Sequence, residues 1–477
     1  MADLGPREFE AGRPLVFRNA LVITVDSQGV LDDADVLVVD DKIAAVGPQL
    51  EAPESAIEID ARGGILMPGM VDTHRHMWQT ALRGYGGDWA LSQYFVFYYL
   101  TWGDIFRPED IYAGNLLSAL ESVDTGVTTT LDWSHGLRTP DHGEAALQAF
   151  QEIPGRFVLA YGNYMGAPWD WSTSPEFKAF VERNATKSDL VTLGVAFDVT
   201  DAETFQEEAA FRAARDLGLR VTTHAGVWGA NGDDQVKRMY DAGCMGPDVT
   251  YVHASSLSAD SYQMIAATGG TVSVATESEQ SAGQGYPSTW AIRRHGIPFS
   301  LSMDTSVWWS ADFFSAMRAT LSADRSRDHL EAHAKGETIV ANKMRAEDIV
   351  RAATMGGAAS LGMEDSIGSI TVGKKADLLL IKNDQSPAMT PILNPYAHVV
   401  YQANTADIHT VVVDGKVVKY DGRRIDLDVG PARDAVAASV EFVRGTIGDQ
   451  WDAGMHPELP EDEPIPNPYS YGGENNG

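Results

Sequence analysis

Cysteine is almost absent from this sequence, since Cys244 is the only one among 477 residues. No intrachain disulfide can form, which is typical of proteins from a reducing compartment. No stretch approaches the ~18 consecutive apolar residues of a membrane-spanning helix. The first residues also lack the basic and apolar regions of a secretory signal peptide. These absences predict a cytoplasmic protein that does not span a membrane.

Basic residues are scarce relative to acidic ones. The chain has 36 Lys and Arg against 67 Asp and Glu, which gives a formal net charge of −31. Nucleic acids and anionic membranes are bound through neutralising cations, so neither is an expected partner. The hydrophobic fraction of 44% is typical of a globular protein. A chain of this length predicts a large domain with a smaller accessory domain.

Two histidines stand out at the end of an apolar run, ILMPGMVDTHRHM, at residues 65–77. The run reads as a buried strand. His74 and His76 are spaced i, i+2, so on a strand their side chains point to the same face. Two imidazoles on one face can hold one metal ion. Taken alone, such a pair is more often two ordinary polar residues than a metal site.

Three further strand-like runs end in a residue that can bind a metal. RVTTH ends at His224, VTYVH ends at His253 and PFSLSMD ends at Asp304, and helix-like segments separate the runs. Strands that alternate with helices predict a parallel sheet, and in a closed barrel the carboxyl ends of the strands converge. His74, His76, His224 and Asp304 can then meet at one point. Three imidazoles and a carboxylate suit zinc or ferrous iron, with a position left open for water.

These residues, with GVTTT at 126–130 and IGSITVGKKADLLL at 367–380, identify a resemblance to the amidohydrolase superfamily. The similar branch contains cytosine and guanine deaminases and triazine hydrolases, and the match covers about residues 14–430. The resemblance implies an α/β fold with a distorted (β/α)8 TIM barrel. It also implies one bound divalent metal ion, zinc before iron, and a homo-oligomer of two or more chains.

The chain divides without long linkers. Short apolar–polar alternations occur near both ends and predict one small β-sandwich domain built from the two chain ends. From Pro457 the tail is rich in Pro, Glu, Asn and Gly, and is expected either to be flexible or to lie over a neighbouring subunit. The predicted segments are residues 1–66 and 361–430 for the β-sandwich, 67–360 for the barrel, and 431–477 for a helix and tail.

The implied mechanism uses water activated by the metal. A bound divalent ion lowers the pKa of its water from ~15.7 towards ~7. We expect Asp304 to accept the proton of that water. In the similar branch, the position of His253 polarises the bond under attack, whereas in binuclear relatives it is a second metal ligand. The fourth-strand run LGVAFD at 193–198 has no lysine to bridge two metals, which favours one.

One departure concerns the usual proton shuttle. Deaminases of the branch carry a glutamate three residues after the fifth-strand histidine, but here that position is Val227. Glu277 and Glu279 lie near the seventh-strand position and share a face if the chain stays extended there. We predict Glu279 as the catalytic carboxyl and Glu277 as a contact for a cationic or NH-bearing substrate. The alternative is that both are solvated loop carboxylates.

Several residues that follow the first two barrel strands and the eighth are candidate substrate contacts. Arg83 can anchor a carboxylate or carbonyl, and aromatic side chains can form a flat wall for a heterocycle. The same aromatic residues are also typical of a core or a subunit contact. The predicted substrate-binding residues are Gln79, Arg83, Trp102, His135, Glu277 and Trp308.

We therefore expect a metal-dependent hydrolase that attacks a carbon–nitrogen bond of a cyclic or aromatic small molecule. Deamination or amide-type hydrolysis comes first. Hydrolytic displacement, such as dechlorination, and a metal-assisted lyase reaction on a natural product are alternatives. An inactive relative that binds a ligand is the alternative from another class, but such a protein has no physical need to keep all four metal-binding residues.

Overall fold

The computed structural model describes residues 9, 12–96, 98, 103–162, 169–185, 187–200, 202–227 and 231–456. Trp102, predicted to contact the substrate, and the tail from Pro457 lie outside the described residues.

Five strands precede the barrel. Ile57 and Ile59 are buried and alternate with more exposed residues, as the sequence pattern predicts, whereas residues 65–68 are buried at every position. Residues that alternate in polarity point to opposite faces of a sheet, which places the apolar ones on its buried side. The strands are β1 (Leu15–Ile23), β2 (Val30–Val39), β3 (Lys42–Gly47), β4 (Ile57–Asp60) and β5 (Ile65–Pro68).

The barrel strands follow in sequence order, and every neighbouring pair is parallel. They are β6 (Met70–Arg75), β7 (Val127–Ser134), β8 (Arg156–Gly162), β9 (Val191–Ala196), β10 (Val221–Ala225), β11 (Val249–His253), β12 (Thr271–Val274) and β13 (Phe299–Leu301). The backbone N–H of Asp304 donates to the carbonyl of His74 at 3.0 Å, and that of His76 donates to Asp304 at 2.7 Å. These two bonds join the first and last strands, so the predicted barrel is confirmed.

The remaining strands complete a second sheet that contains both chain ends. They are β14 (Leu378–Ile381), β15 (Ile408–Val413), β16 (Lys416–Tyr420) and β17 (Arg423–Arg424). Strand β5 pairs antiparallel with β14 and parallel with β1, which links the two ends into one continuous nine-stranded sheet. Leu378 and Leu380 pack on the first strands, whereas Leu379 and Ile381 pack against the barrel.

Helices surround the barrel, mostly one after each strand. The helix between β9 and β10 begins at Glu208. The helices are α1 (Leu91–Gln93), α2 (Pro108–Asp124), α3 (Pro140–Gln151), α4 (Pro175–Asn184), α5 (Glu208–Asp216), α6 (Asn231–Asp241), α7 (Ala259–Thr268), α8 (Thr276–Ser281), α9 (Thr289–His295), α10 (Phe313–Ala334), α11 (Ala346–Arg351), α12 (Gly357–Ser360), α13 (Pro395–Tyr401), α14 (Gly430–Ile447) and α15 (Gln450–Met455). Within the described part of the chain, none is both long and apolar enough to cross a membrane.

The C-terminal helices α14 and α15 cover the segment that follows the first barrel strand. Ser439 of α14 donates to the buried carboxylate of Asp110 at 2.7 Å. The indole N–H of Trp89 donates to the carbonyl of Gly454 at 2.8 Å, and the Tyr85 hydroxyl donates to the carbonyl of Trp451. The end of the described chain therefore holds the loop at residues 83–89 in place.

Candidate active site

Three imidazoles and a carboxylate converge at the carboxyl ends of the barrel strands. Nε2 of His74 lies 3.4 Å from Nε2 of His224 and 3.4 Å from Oδ1 of Asp304. Nε2 of His76 lies 3.4 Å from the same Asp304 oxygen. His74, His76 and Asp304 are buried, and His224 is partly buried. The four side chains come from β6, β10 and the residue that closes the barrel after β13.

The donor set fits a tetrahedral divalent ion. With metal–nitrogen bonds of about 2.1 Å, the donor atoms of a tetrahedral zinc site lie roughly 3.4 Å apart. The three distances of 3.4 Å given above match that value, and the candidate ligands form two overlapping groups that share His74, one with His76 and His224 and the other with His253 and Asp304. Burial lowers the pKa of His74 well below its ordinary value, and it lowers the pKa of His76 to about 4. Both rings are therefore neutral at pH 7 and offer lone pairs, as metal ligands must.

Two ligand candidates are oriented by partners behind them. Nδ1 of His76 donates to the carbonyl oxygen of Trp133 at 2.7 Å, and Nδ1 of His224 donates to the carboxylate of Asp198 at 2.9 Å. Such bonds fix the tautomer that leaves Nε2 available to a metal. Burial alone would lower the pKa of His224, but the adjacent charge and hydrogen bond of Asp198 outweigh it and raise the pKa.

The backbone turns sharply where the side chains enter the site. His253 has φ of 68° and Asp304 has φ of 60°, values that residues other than glycine rarely adopt. Such strained conformations persist only where the surrounding fold holds them in place, and they are concentrated at functional sites. Burial would raise the pKa of Asp304, but its hydrogen bond with His74 and its electrostatic interactions with the neighbouring histidines hold it well below the usual range.

The region after the seventh barrel strand corrects one prediction from the sequence. The extended conformation expected near Glu277 and Glu279 is wrong, because residues 276–281 form helix α8. On a helix, residues two apart point in different directions. Oε1 of Glu277 accepts from the hydroxyl of Ser315 at 2.5 Å, whereas Glu279 enters the barrel interior and is fully buried.

Glu279 lies against the histidine at the end of β11. Its Oε1 lies 3.3 Å from Nδ1 of His253 and accepts from the backbone N–H of Ala275 at 2.9 Å. Its Oε2 is buried and has no hydrogen-bond partner among the described residues. Burial raises the pKa of Glu279, against the opposing effect of the bond from His253. A buried carboxyl therefore stands beside the histidine that the sequence predicts to assist catalysis.

The structure also reveals residues that the sequence reasoning missed. The hydroxyl of Ser278 donates to Oδ2 of Asp304, leaving Oδ1 towards the imidazoles. The Trp133 ring lies 4.7 Å from that of His224. Trp133 shares a strand face with His135, so the period of two offered a signal for it. No sequence pattern pointed to Ser278, because residues 276–281 were expected to be extended.

Three of the predicted substrate contacts are linked through Tyr94. Gln79 and His135 are joined to it by hydrogen bonds, and Trp308 is joined by ring packing. The His135 ring stacks on His76 at 4.1 Å and accepts at Nδ1 from the indole of Trp78 at 3.1 Å. The other nitrogen, Nε2, must then carry the proton and donate to the Tyr94 hydroxyl at 3.2 Å. Tyr94 accepts from the Gln79 amide at 2.6 Å and packs against Trp308 at 5.2 Å.

Arg83, predicted to anchor a substrate, is engaged elsewhere. Its guanidinium donates to both oxygens of Glu121, at 2.5 and 2.7 Å. The same carboxylate accepts from Arg75 at 2.6 Å. Burial would raise the pKa of Glu121, but the two arginines outweigh this and lower it to about 2. The substrate-binding role of Arg83 stays a prediction without a contact that favours it.

Residues 65–418 match the amidohydrolase family, which is most of the chain. The chain belongs to the amidohydrolase family. It is therefore a hydrolase that acts on carbon–nitrogen bonds other than peptide bonds.

Among relatives of this amidohydrolase is the 5′-deoxyadenosine deaminase of Methanosarcina mazei, 27% identical over 435 residues, or 87% of this chain and 94% of the relative. A 5-methylthioadenosine/S-adenosylhomocysteine deaminase of Symbiobacterium thermophilum is 28% identical over 428 residues, or 85% of this chain and 94% of the relative.

Two solved structures share the amidohydrolase fold. An adenosine deaminase from Xanthomonas campestris with bound zinc has a TM-score of 0.77 at 22% identity, covering 90% of this chain and 98% of the other. Atrazine chlorohydrolase from Arthrobacter aurescens, complexed with zinc, has a TM-score of 0.77 at 21% identity, covering 89% and 100%. These likenesses confirm the barrel with its second sheet.

Proposed function

We propose that this amidohydrolase removes an amino group hydrolytically from an aromatic nitrogen heterocycle. One zinc ion would be held by His74, His76, His224 and Asp304. The deaminase relatives support the reaction, and the 3.4 Å spacing of the donor atoms supports a single ion. The observation that carries the proposal is the buried carboxyl of Glu279 beside the ring of His253. Deamination needs a proton donor, and the side chain of Val227 cannot serve as one.

The metal, when bound, supplies hydroxide at neutral pH by lowering the pKa of water. Asp304 is suited to take the proton of that water. Its Oδ1 faces the imidazoles, and its Oδ2 is fixed by the hydroxyl of Ser278. The carboxylate therefore cannot rotate away without breaking that hydrogen bond. We assign proton transfer from water to Asp304 and onward to the departing nitrogen.

Glu279 and His253 form the second proton-handling pair. Because Glu279 holds Nδ1 of His253, the other ring nitrogen points away from that carboxylate. One ring nitrogen of His253 lies within 4.8 Å of the ligand atoms of His74 and Asp304. In the reaction water adds to the ring carbon, the exocyclic carbon–nitrogen bond breaks and ammonia leaves. We assign to this pair the protonation of the ring nitrogen during addition.

Aromatic and amide groups around the cluster suit a flat heterocycle. Trp133, His135 and Trp308 offer ring faces, and aromatic pairs favour stacked or edge contacts. The amide of Gln79 is fixed in one orientation, since its oxygen accepts from Thr305 and its nitrogen donates to Tyr94. A fixed amide can read the hydrogen-bonding edge of a heterocycle. We propose these residues as substrate contacts.

A screen of aminopurine nucleosides and aminopyrimidines with zinc-loaded protein tests this function. We expect release of ammonia and formation of the matching carbonyl product. Release of chloride or another group from ring carbon, with no ammonia from any amine, would instead favour hydrolytic displacement. Tight zinc binding without turnover of any compound would favour an inactive ligand-binding relative.

We further propose that the enzyme acts in the cytoplasm as a homo-oligomer, with the barrel at residues 67–360. The single cysteine supports a reducing compartment. Light scattering on the full-length chain measures the oligomeric state, and a monomer at micromolar concentration would contradict that part.

A further inference from the structure

The loops at the carboxyl ends of the barrel strands are poor in cations. In such barrels these loops form the mouth of the active site. In the part of the chain that the structure describes, six of these loops contain no Lys or Arg; their described residues are 169–174, 197–200 with 202–207, 226–227, 254–258, 275–288 and 302–312. The other two loops, 76–107 and 135–139, contribute Arg83, Arg107 and Arg138, and Arg75 ends the first strand.

Each of these four arginines is already engaged in the described structure. Arg75 and Arg83 share the carboxylate of Glu121. Arg107 pairs with Asp110 at 2.9 Å, and Arg138 donates to the carbonyl oxygens of Asp104 and Phe106. An anion that approached one of these guanidiniums would compete with the partners that it already holds.

Acidic residues, by contrast, recur in the same loops. Asp198 and Asp304 carry two negative charges beside the predicted metal, which balance one divalent ion. Glu279 adds a buried carboxyl, and its Oε2 has no partner in the described chain. The acidic residues in the described part of the eight loops are Asp88, Asp104, Asp198, Glu203, Glu207, Glu277, Glu279, Asp304 and Asp312.

We propose that the site accepts heterocyclic amines that are uncharged or cationic and excludes those that carry a phosphate or carboxylate. The inference rests on the proposed deaminase function and narrows its substrate class. Among the described residues of these loops, an anionic substituent would meet several carboxylates and only cations that already hold partners, so its lost hydration would be poorly replaced. A neutral substituent is not repelled by the carboxylates, and a positively charged substituent is attracted to them.

Two matched pairs of substrates test whether the site excludes anionic substituents. S-adenosylhomocysteine and its decarboxylated amine differ only in one carboxylate, and adenosine and its 5′-monophosphate differ only in the phosphate. For the zinc-loaded enzyme we expect kcat/KM to be at least about 100-fold higher for the compound of each pair that lacks the anionic group. Equal values, or a preference for the anionic member, would overturn the proposal.

Binding without turnover separates this inference from the proposed reaction. Purine riboside and its 5′-monophosphate lack the amino group, so calorimetry with them reports recognition alone. We expect the phosphate to weaken binding by a similar factor, and a lack of discrimination overturns the inference. Failure of every amine to react, with discrimination intact, would instead reject deamination and leave the charge preference standing.

The variant Arg83→Gln is a matched control for an anion anchor. Because Arg83 is held by Glu121, the ratio of kcat/KM between the anionic and neutral members should not change. A selective loss for the anionic member would show that Arg83 reaches the substrate and would contradict the proposal.

Discussion

Oε1 of Glu279 lies 3.3 Å from Nδ1 of His253, and both side chains are buried in the barrel. Helix α8 delivers this carboxyl from the seventh strand, whereas the similar deaminases place theirs three residues after the fifth-strand histidine, where this chain has Val227. The carboxyl needed for deamination can thus be supplied from another wall of the same site.

The substitution Glu279→Gln tests that role. It keeps the shape of the side chain but removes its proton transfer, so we expect kcat to fall by about 10²–10⁴-fold. Zinc content should stay unchanged, because Glu279 is not among the proposed ligands. Steady-state rates and elemental analysis of the same preparations measure both quantities.

The matched control is Glu277→Gln on the same helix. Glu277 bonds to Ser315 on α10 rather than to a residue of the cluster, so its loss should cost far less in kcat. Equal losses for the two variants would show that α8 acts only as a structural unit and would contradict the assignment of Glu279.

Asp198 should act on metal affinity through His224. The variant Asp198→Asn removes the charge that holds Nδ1 of His224 at 2.9 Å. Partners of this kind are worth about 10–100-fold in metal affinity, and we expect a loss of that size. Competition with a zinc chelator measures it. Asp88→Asn, at an exposed acid of a mouth loop, is the control, and an equal loss there would indicate a general charge effect.

A substitution at Gly454 tests the contact between α15 and the loop at residues 83–89. A Cβ at Gly454 would lie 2.5 Å from the Tyr85 hydroxyl oxygen, so Gly454→Ala must displace that ring. Overpacking of this kind costs about 1–3 kcal/mol in the free energy of unfolding. Gly445 on α14 has open space, and Gly445→Ala should stabilise by up to about 1 kcal/mol. Denaturant unfolding of the two variants compares them, and a Gly454→Ala protein as stable as wild type would contradict the contact.

Glu121 should make stability depend on acid pH. Its folded pKa of about 2 lies below its ordinary value of 4.5 because Arg75 and Arg83 surround it. A lowered pKa contributes stability above the unfolded value, and this contribution is lost as the pH falls from 4.5 towards 2. We expect Glu121→Gln to be less stable than wild type at pH 7, by roughly 2–3 kcal/mol.

The same pair of proteins should converge in acid. Near pH 2 the wild-type carboxyl is about half protonated in the folded state and almost fully protonated in the unfolded state, so little of the difference in unfolding free energy should remain. A difference that stays constant from pH 7 to pH 3 would mean that the ion pairs do not set the effect.

Much of the fold and the metal cluster could be predicted because the signals are local. His74 and His76 are two residues apart on a strand, and His224 and Asp304 each end an apolar run. Alternation of strands and helices then places all four at one end of a barrel. Their convergence follows from topology and needs no knowledge of side-chain contacts.

Sequence reasoning is weakest where contacts between distant residues decide the outcome. Arg83 is held by Glu121, which lies 38 positions away on α2, and no local pattern announces that pairing. The segment TESEQS at 276–281 has no apolar periodicity, so neither a strand nor a helix was indicated by its own composition. The structure makes it helical, and this alone separates Glu277 from Glu279.

Metal content per subunit tests the central claim most directly. We predict about one zinc per chain in wild-type protein and its loss in His224→Ala, because this ring is one of four proposed ligands. Circular dichroism of the variant should show the secondary structure retained. Wild-type protein that binds no zinc after reconstitution, or a variant that keeps its full complement, would contradict the account.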